Sequence, residues 1–161
     1  MYNGRKEHSL KALVVYDSVY GNTEKIAKSI SEALPKGTRA MRAVDALAVE
    51  MNDVDLLIVG SPTLGGRATV PLMSFLDGIP PSVLKGIKVA AFDTRLSMKF
   101  ARIFGWAADK ILAKLTTAGG MQIAPPQGFI VRGRKGPLAE KEEQRAAEWA
   151  KGLAASMKDT Q

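Results

Sequence analysis

Between Leu13 and Ile30 the chain reads LVVYDSVYGNTEKIAKSI: an apolar run, a short loop of hydroxyls and glycine, and at once an amphipathic helical pattern. A strand that passes through a tight loop into a helix N-terminus commits this part of the chain to a βα unit. It also builds an anion site. The first N–H groups of a helix have no partner within it and carry the positive end of its dipole, so a phosphate placed there meets several donors together. Ser18, Val19, Tyr20, Gly21, Asn22 and Thr23 surround that point. Ser18, Asn22 and Thr23 add side-chain donors, and Gly21 removes the Cβ that would hold a ligand off. An ordinary strand-to-helix turn capped by Asn22 or Thr23 would use the same residues, so this loop alone leaves both readings open.

The alternation continues along the chain. Asp55–Val59 is an almost wholly apolar run, the pattern of a strand buried on both faces, and it empties into Gly60-Ser61-Pro62-Thr63-Leu64-Gly65-Gly66. Ile87–Phe92 repeats the pattern and ends at Asp93-Thr94-Arg95. Helical stripes are predicted for Ile26, Ala27, Ile30, Ala33 and Leu34, which stop at Pro35-Lys36-Gly37, and for Ala107, Ile111, Leu112, Leu115 and Ala118, which stop at Gly119-Gly120. A third helix starts near Thr69-Val70-Pro71 and ends at Asp77-Gly78. The weaker signals give a second strand at Thr38–Ala43, a short helix around Asp45–Met51, and a fifth strand split into Met121–Ala124 and Phe129–Val131 by Pro125-Pro126 and Gly128. A last helix is expected from Leu138 to Met157, with Ala146, Trp149, Ala150, Leu153 and Met157 inward and Glu140 to Arg145 as a solvated charged face. Phe104 and Trp106 read as the packed start of a helix, although they, like Phe100, could cover a planar ligand. Residues 1–9 form a polar tail and residues 10–161 one domain.

Neither the GxGxxG spacing of the dinucleotide fold nor a glycine followed by Lys-Ser/Thr is present in the first loop. Ser18-x-x-Gly21-Asn22-Thr23 after a first strand instead resembles the phosphate loop of flavodoxins, which hold the phosphate of FMN without a basic side chain. Gly60 to Gly66 resembles the flavodoxin loop beside the isoalloxazine ring, commonly GSPTYGG, with Leu64 in place of the aromatic. In that family the glycines let a peptide flip so that a carbonyl accepts a bond from reduced flavin N5. The resemblance covers nearly the whole chain after residue 9, including Gly136-Pro137-Leu138 before the last helix. It implies an α/β fold, a three-layer α/β/α sandwich around a five-stranded parallel sheet of order 2-1-3-4-5, whose switch point lies between strands one and three. It implies FMN as cofactor, with Ser18 to Thr23 on the phosphate, Pro62, Thr63, Leu64, Gly65 and Gly66 beside the ring and ribityl chain, and Asp93, Thr94 and Arg95 on the far side.

Electron transfer with a redox partner protein is the function this resemblance implies. Two other readings stand beside it: a flavodoxin-like NAD(P)H:quinone oxidoreductase, which also has S-x-Y-G and G-[ST]-P-T loops, and a flavin-free binding module on the same fold. No catalytic acid or base is assigned, because the sole histidine, His8, lies in the tail and no pair of carboxylates or metal-ligating cluster stands out. Without cysteine there is neither a disulfide framework nor a thiolate centre. No apolar run approaches spanning length and Tyr2 to Ser9 is no signal peptide, so a cytoplasmic protein, monomeric or weakly homo-oligomeric, is expected.

A formal net charge of +7 sets the chain apart from the flavodoxins it resembles, which are typically acidic. The basic residues fall in small clusters, Arg39–Arg42, Arg95–Arg102 and Arg132–Lys135, without a long run or regular aromatic interleaving. A solvated basic surface is therefore favoured over a nucleic-acid site, and a redox partner with an acidic surface would suit the charge. Arg67 and Arg95 flank the two ring-side loops, where positive charge would favour the reduced, anionic flavin and make its potential less negative.

Overall fold

Leu13–Val15, Leu56–Val59 and Val89–Phe92 are apolar at every position, and strands of that kind need cover on both faces. The structure, a computed structural model, describes residues 9–47, 51–97 and 105–159 and gives them that cover. Strands β1 (Ala12–Tyr16), β2 (Arg39–Arg42), β3 (Leu56–Pro62), β4 (Lys88–Leu96), β5 (Met121–Gln122) and β6 (Gln127–Val131) form one sheet. Its order is β2-β1-β3-β4-β5, with β6 also on β4, and every pairing is parallel. Since β5 pairs with Lys88 and Val89 and β6 with Phe92 to Leu96, they are two halves of one edge strand.

Helices α1 (Asn22–Ala33), α2 (Ala43–Ala46), α3 (Val70–Asp77), α4 (Ala107–Thr117) and α5 (Glu142–Asp159) supply the two outer layers. Alternation along each strand sorts the core. Val14, Tyr16, Ile58 and Phe92 pack with Ile26 and Ile30 of α1 and Ala146 and Leu153 of α5. Leu13, Val15, Leu57, Val59, Val89 and Ala91 pack with Leu72 and Phe75 of α3 and Ile111 and Leu115 of α4. On the first face Phe92, Phe129 and Trp149 meet edge to face, with centroids 6.0–6.2 Å apart. Gly60 lies opposite Phe92 in the sheet, and a Cβ there would sit 2.1 Å from the ring. The first glycine of the second loop is thus required by core packing.

Three segments differ from the sequence expectation. β3 and β4 run on through Pro62 and Leu96, because Ser61 pairs with Asp93 and Pro62 with Thr94. Asp93, Thr94 and Arg95 therefore belong to a strand, not to a loop. The second strand and the short helix after it are also shorter, at Arg39–Arg42 and Ala43–Ala46. Residues 48–50 of that expected helix, the tail through residue 8, and Phe100, Arg102 and Phe104 lie outside the described residues.

The third difference is at α5, which starts at Glu142, since Leu138 bridges back to Val131 and Lys141 has a φ of 66°. Glu142 is not a solvated surface charge. It is 7% exposed, accepts from the Ile130 N–H at 2.6 Å, and takes two bonds from Arg145, which also donates to the Gly128 carbonyl and lies over the Phe129 ring. Arg145 holds the Glu142 carboxyl below its ordinary value, with help from the Ile130 N–H and against its burial. A depressed carboxyl stabilises the fold above its unfolded value of 4.5 and ceases to as pH falls through the lower folded one. Glu142→Gln is expected to lose about 1 kcal/mol at neutral pH, because Arg145 is partly in water, and to flatten the acid limb of the stability curve. Chemical denaturation between pH 2 and 7 checks this.

Candidate functional site

The carboxyl ends of β1 and β3 open at the point where strand order reverses, and the loops leaving them meet there. Gly21 takes the N-cap position of α1 with φ of 94°, and no side chain caps the helix. The N–H groups of its first turn therefore face outward without an internal acceptor. Ser18 Oγ accepts from the Gly21 N–H at 3.0 Å, which leaves its hydroxyl proton to donate elsewhere. Thr23 Oγ1 and Thr94 Oγ1 lie 2.8 Å apart and share one proton, so a second remains for a ligand. Arg42 of β2 fixes this loop from behind: it donates to the Ser18 carbonyl at 3.2 Å and to Glu24 at 3.1 Å, and lies 3.6 Å from Asp17.

The loop after β3 is a tight reversal. Leu64 and Arg67 exchange both backbone hydrogen bonds, at 2.8 and 3.0 Å, around Gly65 and Gly66 with φ of 57° and 78°. Positive φ at both central residues is the type I′ requirement that glycine meets at least cost. Leu64 is held at the base of this turn, 40% exposed. Ser61, fully buried, accepts from the Thr69 N–H and so ties the end of β3 to the start of α3. Thr63 Oγ1 accepts from Ala107 N–H and Lys110 donates to the Gly66 carbonyl, which ties the same loop to the start of α4.

Asp93 and Arg95 form the base of the third wall. Arg95 donates to both Asp93 carboxylate oxygens, at 2.6 and 2.8 Å, and Asp93 also accepts from the Ala108 N–H at 3.0 Å. The guanidinium is sandwiched between the Trp106 ring, 4.0 Å away, and the Cα of Gly128, where a Cβ would come within 2.3 Å of Arg95 Nε. Burial pushes the Asp93 carboxyl above its ordinary value, against the pull of Arg95 and the Ala108 N–H. Because Asp93 lies against it, the Arg95 charge is compensated. The expectation of a bare positive charge at this wall thus rests on Arg67 alone, which is exposed.

A crevice of about 230 Å³ joins the two loops and the end of β4. Of the residues singled out in the sequence, Ser18, Val19, Tyr20, Asn22, Thr23, Pro62, Thr63, Leu64, Gly65, Thr94 and Arg95 line it. Gly21, Gly66 and Asp93 do not: the two glycines shape the turns from behind, and Asp93 is fully buried beneath Arg95. Leu96, Val131 and Arg134 line it as well. The first two follow from continuation of β4 and β6. Arg134 showed only as part of a basic cluster, and nothing local marks Arg42 as the brace of the first loop.

A sequence model of the flavodoxin family, described as "Flavodoxin", matches residues 14–149. The chain belongs to the flavodoxin family. Flavodoxins bind FMN and transfer electrons to and from redox partners. Diflavin flavoprotein A 5 of a Nostoc species is 30% identical over 71% of this chain and 20% of its own length. The chain thus spans about a fifth of the length of the curated relatives it matches. Oxidised Flavodoxin 2 of Bacillus cereus has the same fold, with a TM-score of 0.75 at 22% identity over 94% of this chain and 99% of that one. Rubredoxin oxygen:oxidoreductase of Desulfovibrio gigas gives 0.71 at 19% identity over 92% of this chain and 36% of that one.

The residues present fit FMN. An uncapped helix N-terminus, hydroxyl protons without acceptors and a narrow apolar-walled crevice suit a phosphate joined to a flat ring. When bound, FMN supplies one- and two-electron chemistry, and the protein's part is to hold and orient it. Among the described residues no group of His, Asp and Glu could hold a metal, and no helix is long and apolar enough to cross a membrane.

Proposed function

We propose that residues 10–161 form an FMN domain that passes electrons between protein partners, with the flavin in the crevice at the ends of β1 and β3. The observation that supports this most is the uncapped N-terminus of α1 opening into the same crevice as the Leu64 turn. Ser18 to Thr23 take the phosphate, Pro62 to Gly66 border the ring and ribityl chain, and Thr94 and Arg95 line the opposite side, with Asp93 and Gly21 supporting from behind. The likeness to one fifth of a diflavin flavoprotein supports a flavin unit that works beside a second redox unit.

The protein is cytoplasmic and monomeric or weakly homo-oligomeric, and its partner presents an acidic face. Val19, Tyr20 and Leu64 expose apolar surface around the crevice, and the net charge of +7 suits such a face. Reduction of a cytochrome by the flavin-loaded protein, compared with NAD(P)H-driven quinone reduction, tests the carrier role. Cytochrome reduction without quinone turnover is expected; fast quinone turnover alone would make it an oxidoreductase.

Leu64 gives a separate test of the ring assignment. Leucine covers a ring but lacks the aromatic contact, worth about 0.5–1.5 kcal/mol beyond area burial. Leu64→Tyr should tighten FMN by up to about tenfold in a fluorescence titration. Unchanged or weaker binding would place the ring away from Leu64.

A further inference from the structure

We infer that Arg134 is a charged ligand for the phosphate of FMN in this chain, added to a loop that otherwise holds it with neutral donors. The inference rests on the reading of the crevice as the FMN site. Arg132, Gly133, Arg134, Lys135 and Gly136 connect β6 to the segment before α5 as a closed hairpin. Arg132 N–H donates to the Pro137 carbonyl at 2.8 Å, and Gly136 N–H donates to the Gly133 carbonyl at 2.9 Å. Val131 bridges Leu138 across its base. Arg134 therefore stands at the tip of a tight turn.

That tip is fastened to the phosphate loop. Asn22, the first residue of α1, donates from Nδ2 to the Lys135 carbonyl at 3.3 Å. Gly136, with φ of 108°, lies so close to the Asn22 amide that a Cβ would come within 2.7 Å of Oδ1. Arg134 lines the same crevice as Ser18, Asn22 and Thr23.

Two cations come near this loop and their situations differ. Arg42 is committed to Asp17, Glu24 and the Ser18 carbonyl. Arg134 has no carboxylate partner among the described residues. A phosphate monoester is largely dianionic at neutral pH, and guanidinium presents a planar fork of donors that matches its oxygens. An exposed arginine next to an uncapped helix N-terminus strengthens selection for the phosphate over the bare flavin, in proportion to charge and sensitive to salt. Solvation of Arg134 away from the ligand is the bland alternative, and binding constants separate the two.

The experiment measures FMN and riboflavin dissociation constants by flavin fluorescence for the parent, Arg134→Gln, Arg134→Lys and Lys135→Gln, at low and at physiological salt. Arg134→Gln is expected to weaken FMN by about tenfold, leave riboflavin within twofold, and lessen the salt dependence of FMN binding. Arg134→Lys should recover part of the loss, and Lys135→Gln, whose side chain is outside the crevice, should stay within twofold of the parent. FMN affinity unchanged in Arg134→Gln would overturn the role of Arg134 while leaving the site intact. Equal weakening of FMN and riboflavin would overturn it too, as an effect on the fold. A parent that binds both flavins equally would overturn the phosphate site itself and Arg134 with it.

Discussion

Replacing Arg95 with methionine is expected to lower the unfolding free energy by about 3–5 kcal/mol, the usual loss when one member of a buried ion pair is removed. Asp93 is fully buried and spends both carboxylate oxygens on Arg95, with the Ala108 N–H and the Thr63 hydroxyl as further donors. Without the guanidinium the carboxylate would be left charged in the interior, so it takes up a proton. Its value, already raised by burial, then rises further. A carboxyl raised in the folded state stabilises the fold below its unfolded value and ceases to as pH rises through the folded one. The Arg95→Met deficit should therefore be greatest at neutral pH and shrink in acid, in the same direction as the Glu142→Gln deficit but larger. Asp93→Asn combined with Arg95→Met should recover most of the loss, since an amide can still accept from Ala108. Urea denaturation of the single and double variants at pH 4.5 and 7.5 reads all three effects. A single variant as stable as the parent would mean that the pair is replaced by water.

FMN should bind about a hundred- to a thousandfold more tightly than riboflavin. The two ligands differ only in the phosphate, so the ratio isolates the phosphate site. Hydrogen bonds to a charged group contribute about 1.5–3 kcal/mol each. The open first turn of α1 and the spare hydroxyl protons of Ser18 and the Thr23–Thr94 pair offer several. After competition with water a net of about 3–4 kcal/mol is reasonable, and 1.4 kcal/mol is a factor of ten. Parallel titrations of the apoprotein measure the ratio directly. Equal affinities would show that the phosphate does not sit on α1.

Much of the fold was open to sequence reasoning because its causes are local. Apolar runs of strand length, the Gly-bearing loops after β1 and β3, and the stripes of α1 and α4 each announce themselves within a few residues. Strand order came only through the family resemblance, since periodicity says nothing of which strand lies beside which. What stayed hidden depends on partners far along the chain. Asp93-Thr94-Arg95 reads as a polar loop until β6 pairs beside it and Gly128 leaves room for the guanidinium. Glu142 and Arg145 read as surface charges until Ile130 and Gly128 supply backbone partners. Gly60 reads as one more glycine of the second loop until the fold sets the Phe92 ring against it. In each case a charged or small residue is explained by a contact that only the folded chain brings about.

The central claim is that this flavodoxin-family domain holds one FMN in the crevice between β1 and β3 and carries electrons with it. Its most direct test is the visible absorption and fluorescence spectrum of the purified protein, titrated with FMN and then cycled with a chemical reductant and air. The account predicts saturation near one equivalent, quenched flavin fluorescence and reversible bleaching. A protein that stays colourless and leaves added FMN as fluorescent as in buffer would contradict it.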